Sequence, residues 1–303
     1  MNNSPLVTIL MNCYNGERYL QEAINSVLNQ TYQNWELIFW DNQSTDDSAK
    51  IFSNNKDARL YYYLAPSHTN LGDARVMASK KIKGQWLGIL DTDDIWEPDK
   101  LTKQIDLINK VSSLKDPIGL VYSRTMGINN TGNITKELCH KEYLSSPMPH
   151  GMILHDLLFK GNFILSPSML INTKIFFSVG GYPDGYKHAS DYFISCAISS
   201  KAKVIYVDEY LTKYRIHEHN NTHKEKVISY EEQLKIFNFW SKYIGVSLLE
   251  KKLRIKQLHT FVGLMMIKYN KQIFKGLIRI LKYGHLPFAF KNIFLELKKI
   301  NEK

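Results

Sequence analysis

Through the first half of the chain, short apolar runs alternate with stretches whose apolar residues recur at helical spacing. Leu6–Met11 (LVTILM) is the first run, and its β-branched content suits a strand. It passes through Tyr14-Asn15-Gly16 into ERYLQEAINSVLNQ, where Leu20, Ala23, Ile24, Val27 and Leu28 share one helical face. Trp35–Trp40 (WELIFW) predicts a second strand, followed by DNQSTDDSAKIF, in which Ser44 or Thr45 is placed to cap a helix. RLYYYL is a third strand candidate, and LGDARVMASKKIKG reads as a loop and helix closed by Gly84. Trp86–Leu90 is a fourth strand, Leu101–Asn109 a helix, and IGLVYS a fifth strand. This alternation predicts an α/β architecture, a Rossmann-like, mostly parallel sheet flanked by helices and joined by right-handed crossovers. Ligands bind such sheets outside the carboxyl ends of the strands. Asn12–Asn15, Asp41 and Asp91–Asp94 each follow a strand and are expected around one crevice.

From Thr125 to Leu165 the pattern breaks up, with frequent Gly, Asn and Pro, and predicts loops and short helices over that crevice. SPSMLINTKIFFSVGGYPDGYKHASDYFISCAI then offers a strand, a turn at Gly180-Gly181 and a helix beginning near Asp191. KVIYVDEYLTKYR reads as closing strands, and Lys224–Lys303 as helical. Within the last part, Ile273, Phe274, Leu277, Ile280 and Leu281 share one face while Lys275, Arg279 and Lys282 share another. Charge sharpens the division. The net +10 of the chain resides in the tail: from His223 onward there are 17 Lys and Arg against 6 Asp and Glu, and 22 against 23 before it. The expected organisation is therefore a domain over 1–222, with a donor half to about 123 and an acceptor half over 124–222, then a basic helical extension over 223–303.

Other features narrow the class. Cys13, Cys139 and Cys196 show no paired spacing, which argues against a disulfide framework or zinc site and fits a reducing compartment. MNNSPLVTILMNCYN lacks the basic start and long apolar core of a signal peptide, and no run reaches about 18 apolar residues, so no spanning helix is expected. A cytoplasmic protein is the expectation, at the inner face of the membrane if its tail meets lipid. Phe, Leu and Ile opposite Lys and Arg is a composition attracted to anionic lipid, with a packed helix or dimer contact as the alternatives. No motif supports a nucleic-acid partner.

The sharpest chemical signal is GQWLGILDTDDIWEPDKL, Gly84–Leu101, where an apolar strand stops at Asp91, Asp93 and Asp94. Carboxylates this close repel, and burial without a partner costs each several kcal/mol or neutralises it. Hard cations such as Mg²⁺ or Mn²⁺ take oxygen ligands, commonly one or two carboxylates plus substrate phosphates. Asp41 is placed to accept from a pyrimidine N–H, and Arg75 to offer a planar fork to a phosphate or a carboxylate. Taken singly, Asp94 suits a helix cap or a solvated loop, Asp41 a turn, Tyr14 packing, and Asp191 the first turn of a helix. Their convergence on one sheet edge favours a site.

VTILMNCYNGERYLQEAINSVLNQTYQNWELIFWDNQSTDDS, LGDARVMASKKIKGQWLGILDTDDIWEPDKL, VGGYPDGYKHASDY and YRIHEHNNT occur in the order found in family 2 glycosyltransferases, and residues 5–222 resemble that family. The resemblance implies a GT-A fold and an inverting, nucleotide-sugar-dependent enzyme of the hexosyltransferase type using Mn²⁺ or Mg²⁺. It implies that Tyr14 stacks on the base, that Asp41 bonds a uracil-type N–H with Asn12 and Asn15 alongside, and that Arg75 lies in the nucleotide site. Asp91 would address the ribose and metal, Asp93 the metal itself, with Asp94 and His217 as further ligand candidates. Asp191 falls at the catalytic base. UDP-sugar is the favoured donor and dTDP-sugar the next, and the acceptor would be a lipid-linked or surface-polysaccharide precursor. Three positions depart from the family pattern. Asn12 replaces a common Pro, Asn42-Gln43 replaces Asp-Gly, and Ser190 replaces the Glu before the base. The last departure makes a degenerate, sugar-nucleotide-binding protein the alternative reading. A nucleotidyltransferase is disfavoured because MNCYNGERYL is poor in Gly and Lys, and a dinucleotide oxidoreductase because G-x-G-x-x-G is absent.

Overall fold

The computed structural model describes residues 4–111, 116–138, 143–144, 147–218, 220, 225–269 and 272–292. They divide into two compact units, Met1–His217 and Glu218–Lys303.

In the first unit a nine-stranded sheet runs in the order β3-β2-β1-β4-β8-β6-β9-β5, with β7 pairing β6. Strands β1 (Val7–Cys13), β2 (Trp35–Asp41), β3 (Leu60–Leu64) and β4 (Trp86–Ile89) are mutually parallel, as the alternation predicts. The second half departs from a mostly parallel sheet. Strand β8 (Leu170–Asn172) enters antiparallel between β4 and β6 (Ile118–Ile128), while β9 (Lys203–Arg215) runs parallel to β6 and antiparallel to β5 (Ile95–Trp96). The region read as loops and short helices holds one such helix, α5 (Leu154–Lys160), and also a hairpin: β6 extends to Ile128 and returns as β7 (Ile134–Glu137). Local pattern missed the hairpin because its outer strand is short and exposed.

Helices α1 (Glu17–Leu28), α2 (Ser48–Asn54), α3 (Leu71–Ser79) and α4 (Lys100–Val111) connect the first strands. The buried face of α1 is the predicted one, with Leu20, Ala23, Ile24 and Val27 packed under Val7, Ile9 and Met11 in a core that also holds Trp35, Phe39 and Trp96. Two helix boundaries differ from expectation. Helix α2 starts at Ser48, not at Ser44 or Thr45, and the Asp46 carboxylate accepts from the Ser48 amide. Helix α3 ends at Ser79, short of Gly84, and Gly84 instead permits a close approach to β1: a Cβ there would lie 2.5 Å from the Thr8 amide nitrogen. The predicted turn at Gly180-Gly181 is present, both at positive φ (95° and 69°), between α6 (Thr173–Ser178) and α7 (Ser190–Ser199). Cys13 and Cys196 are buried free thiols, and Cys139 lies outside the described residues.

The second unit contains helices α8 (Lys226–Trp240), α9 (Leu248–Lys268) and α10 (Ile273–Tyr283). Helix α9 opens with a capping box: Ser247 Oγ accepts from the Glu250 amide while Glu250 accepts from the Ser247 amide. Among the described residues no helix is long and apolar enough to cross a membrane.

Candidate active site

Parallel register brings the carboxyl ends of β1, β2 and β4 to one edge. Cys13 pairs with Asp41 across β1 and β2, and Leu10 with Ile89 across β1 and β4. The chain therefore leaves β4 toward Asp91–Asp94 beside Asn12. Asn12 is nearly buried and its side-chain oxygen has no partner within the protein. Two residues on, Tyr14 is 51% exposed with its ring centroid 4.1 Å from that of exposed His68. Asn15 holds the turn in the left-handed region (φ 53°), and its side chain accepts from the Thr45 amide at 2.8 Å.

Asp41, the residue expected to meet a pyrimidine N–H, is held by its own neighbours. It is 1% exposed, and its two oxygens accept from the Ser44 amide and the Tyr62 hydroxyl, each at 2.7 Å. The carboxylate raises the pKa of the Tyr62 phenol, after burial the next cause of that shift. Neighbouring Asn42 ties the next loop, bonding the Thr69 carbonyl at 2.7 Å, while its own carbonyl meets His68 Nδ1 at 3.0 Å. Asp41 thus fixes Ser44 and Tyr62, while Asn42 fixes His68 beside Tyr14. His68 was invisible in the sequence, a lone His in a loop without periodicity.

Arg75 joins the two halves of the crevice. It projects from α3 and is 3% exposed, with Nη2 3.3 Å from Asp91 Oδ1. Its Nη1 lies 3.4 Å from Ser190 Oγ and its Nη2 3.5 Å from Ser166 Oγ, contacts at the outer limit of hydrogen bonding. The helix reaches this position because Gly72 lets α3 touch the loop ahead of α7; a Cβ there would fall 1.6 Å from the Tyr186 carbonyl oxygen. Asp191 stands in the first turn of α7, half-buried, 3.5 Å from Asn162 Nδ2. Burial raises its pKa above the usual carboxylate range, and the positive charge of Arg75 pulls the other way. Asp91 is raised for the same reason, with Arg75 opposing and Asp93 and Asp191 adding to the rise. Tyr182, buried with its hydroxyl unpartnered, feels the field of Arg75, Asp191 and Asp91. Tyr182 and Asn162 carried no sequence signal beyond lying near the Gly-Gly turn and the irregular region.

Of the acidic triplet, Asp91 and Asp93 keep 28% and 25% of their side chains exposed. His217 Nε2 approaches Asp93 Oδ2 at 2.9 Å, so these two ligand candidates meet. Asp94 faces inward. It is 1% exposed, its Oδ1 accepts from the Arg215 amide at 2.9 Å, and its Oδ2 has no partner. Such a carboxylate fixes β9 to the end of the acidic loop. Arg215 reinforces that tie. Its guanidinium donates to the carbonyls of Asp93 (2.9 Å) and Asn129 (3.1 Å) and to Glu22 (2.6 Å), over the Tyr19 ring. Among the described residues no group of three or more His, Cys, Asp or Glu side chains is gathered to hold a metal. Two partly exposed carboxylates beside an imidazole still suit a cation that completes its shell with phosphate and water.

A family model for glycosyl transferase family 2 matches residues 8–176. An uncharacterized glycosyltransferase of Methanocaldococcus jannaschii is 30% identical over 238 residues, covering 75% of this chain and 78% of that protein. The Escherichia coli UDP-Glc:α-D-GlcNAc-diphosphoundecaprenol β-1,3-glucosyltransferase is 35% identical over 131 residues, 43% of this chain and 50% of its own. Among solved structures, Staphylococcus aureus TarS 1–349 with UDP superposes at a TM-score of 0.62 and 17% identity, over 88% of this chain and 74% of that one. The mannosyltransferase PcManGT of Pyrobaculum calidifontis, with GDP-Man and Mn²⁺, superposes at 0.60 and 15% identity, over 98% and 81%. Fold, motif order and family agree: the chain belongs to glycosyl transferase family 2, and it is a glycosyltransferase of the GT-A fold.

Proposed function

We propose that this glycosyltransferase moves a sugar from a pyrimidine nucleoside-diphosphate sugar, UDP-sugar before dTDP-sugar, to a hydroxyl of a lipid-linked or surface-polysaccharide precursor, with inversion at the anomeric carbon. The observation that carries the reading is Arg75, one buried guanidinium facing Asp91 on the metal side and Ser190, next to Asp191, on the other. This supports a donor site and a base that face one crevice from either side of Arg75. The Escherichia coli relative supports a lipid-linked acceptor, since its name gives a diphosphoundecaprenol-linked substrate.

In this reading the exposed Tyr14 face, backed by His68, stacks on the base, and the free Asn12 oxygen accepts its N–H. Both uracil and thymine present that donor. Asp41 acts through Tyr62 and Ser44 to hold the platform. Asp93 and Asp91, with His217 beside them, are the residues that would hold Mn²⁺ or Mg²⁺; Asp94 anchors them from behind. When bound, the cation supplies Lewis-acid stabilisation of charge on the departing diphosphate. Arg75 orients Asp91 and adds positive charge to the same wall. Asp191 takes the acceptor proton as the oxygen attacks the anomeric carbon in line, the bond to the diphosphate breaks, and a single displacement inverts the centre. A positioned general base contributes about 10²–10⁴-fold. Its raised pKa suits the task, bringing its basicity closer to neutral pH. A lipid-linked acceptor also places the enzyme at an anionic membrane surface, at the cytoplasmic face, with the basic tail as the segment that meets it.

The test is calorimetric titration of UDP, with and without Mn²⁺, into the wild type, Asp93→Ala and Asp191→Asn. Metal-dependent binding that is lost in Asp93→Ala and kept in Asp191→Asn is the expected result. Absence of UDP and dTDP binding from the wild type, with GDP binding instead, would overturn the pyrimidine assignment.

A further inference from the structure

Helix α10 has a broad apolar arc and uses little of it for packing. At 100° per residue, Ile273, Leu277, Leu281, Phe274 and Ile278 follow one another around the helix, and Lys282 and Lys275 come next. The side turned to α9 is the narrow edge of Gly276 and Ile280, the buried residues of α10. There the two backbones nearly touch: a Cβ on Gly276 would lie 2.6 Å from the Gly263 carbonyl oxygen, and one on Gly263 would lie 2.9 Å from that of Gly276. A glycine crossing holds the helix by its backbone and leaves the large side chains facing outward. Phe274 is 81% exposed and Leu281 70%, with Ile273, Leu277 and Ile278 also exposed. Beyond the helix, Phe290 is a further exposed apolar residue, at 69%. The third basic residue, Arg279, is turned inward to Glu231 at 2.8 Å, so Lys275 and Lys282 are the cations on the open rim.

We propose that this face of α10 docks on an anionic lipid surface, its apolar arc entering the acyl boundary while Lys275 and Lys282 meet the headgroups. This names the residues behind the membrane encounter of the acceptor reading above, and it rests on that reading for its biological purpose alone. Charge selects the occupant. The segment from His223 carries a net +11, which complements anionic headgroups. A second copy packed antiparallel across a two-fold axis would bring the same lysines together on one rim, like charge against like. At 11 residues the helix is far too short to span a bilayer, and it fits one that lies in the interface plane.

The experiment is co-sedimentation of the full chain with phosphatidylcholine vesicles and with vesicles that also contain phosphatidylglycerol. No nucleotide, metal or acceptor is present. The chain should pellet with the anionic vesicles, and salt should release it. Phe274→Ser combined with Leu281→Ser should weaken partition at least about tenfold, as expected for two exposed apolar anchors. Lys275→Glu with Lys282→Glu should remove the preference for phosphatidylglycerol. Unchanged circular dichroism and unchanged melting certify that the variants fold. Equal binding by the serine variant and the wild type would overturn the proposal. So would a wild-type dimer, seen by light scattering, that the serine variant dissolves. UDP titration of the same proteins reads the donor site separately, so loss of one activity leaves the other assignment standing.

Discussion

Arg215→Met isolates how much of the acidic loop's order depends on one buried cation. The Arg215 side chain is 1% exposed, and methionine keeps much of its volume and its apolar stem. What disappears is the fork that satisfies the Asp93 and Asn129 carbonyls, the link to Glu22, and the stacking on Tyr19. Each buried acceptor left unpaired costs about 1–3 kcal/mol. Glu22, 55% exposed, regains water, so its half of the pair contributes little. Relief from burying a guanidinium offsets part of the loss, and about 3–5 kcal/mol remains from the two unpaired carbonyls and the lost stacking on Tyr19. At about 2–4 °C per kcal/mol for a domain of this size, the melting temperature should fall by about 6–20 °C. Tryptophan fluorescence follows the correct unit, because Trp35, Trp40, Trp86 and Trp96 lie before His217 and Trp240 alone lies after it. Glu22→Gln is the control and should cost under about 1 kcal/mol. A melt of Arg215→Met within the error of the wild type, or a Glu22→Gln melt equally low, would refute the reasoning. Because Asp93 loses its carbonyl anchor, metal-dependent UDP binding should weaken in Arg215→Met even at temperatures where it stays folded.

Three further outcomes are expected. Asp191→Asn should lower kcat by about 10²–10⁴-fold in a UDP-release assay while UDP affinity holds; in the wild type the acid limb of kcat should stand above the ordinary carboxylate range, because burial raises this pKa. Lys100 is fully buried, with Gln104 at 2.8 Å and the Trp96 ring at 3.9 Å, and burial depresses its pKa well below the usual value. Between its folded and unfolded pKa values the unfolded chain binds the extra proton, so stability should rise with pH there, by at most about 1.4 kcal/mol per pH unit. Urea titrations at several pH values should show that slope in the wild type and lose it in Lys100→Met. Gly72→Ala, which drives a Cβ into the Tyr186 carbonyl, should abolish transfer or soluble expression, whereas alanine at Gly132, with nothing within 4 Å, meets backbone strain alone.

The parallel half of the fold was legible because its strands are continuous apolar runs and its helices keep one apolar face. The antiparallel insertion of β8 was not, since three residues, Leu170–Asn172, carry no period and their partners lie far along the chain. The same divide holds at the site. Asp91, Asp93 and His217 announce themselves by type and motif, and the structure brings Asp93 and His217 into contact. For Asp41 and Asp94 the sequence shows where a carboxylate stands on a strand end, and not which amides turn toward it. Tyr182, Asn162 and His68 depend wholly on tertiary approach. Spacing could not reveal them.

The position of β8 also has a temporal side. Strands β1 to β4 can assemble as soon as Ile89 has been synthesised, but the outer edge of β4 is closed only when Leu170–Asn172 arrives. At about 5–20 residues per second that edge waits roughly 4–16 s on the ribosome. An unpaired apolar strand is a template for pairing with other chains, so the newborn protein passes through an aggregation-sensitive interval that the finished one no longer shows. A chaperone that shields Trp86–Ile89 during synthesis should raise the soluble yield more than any change to the completed fold.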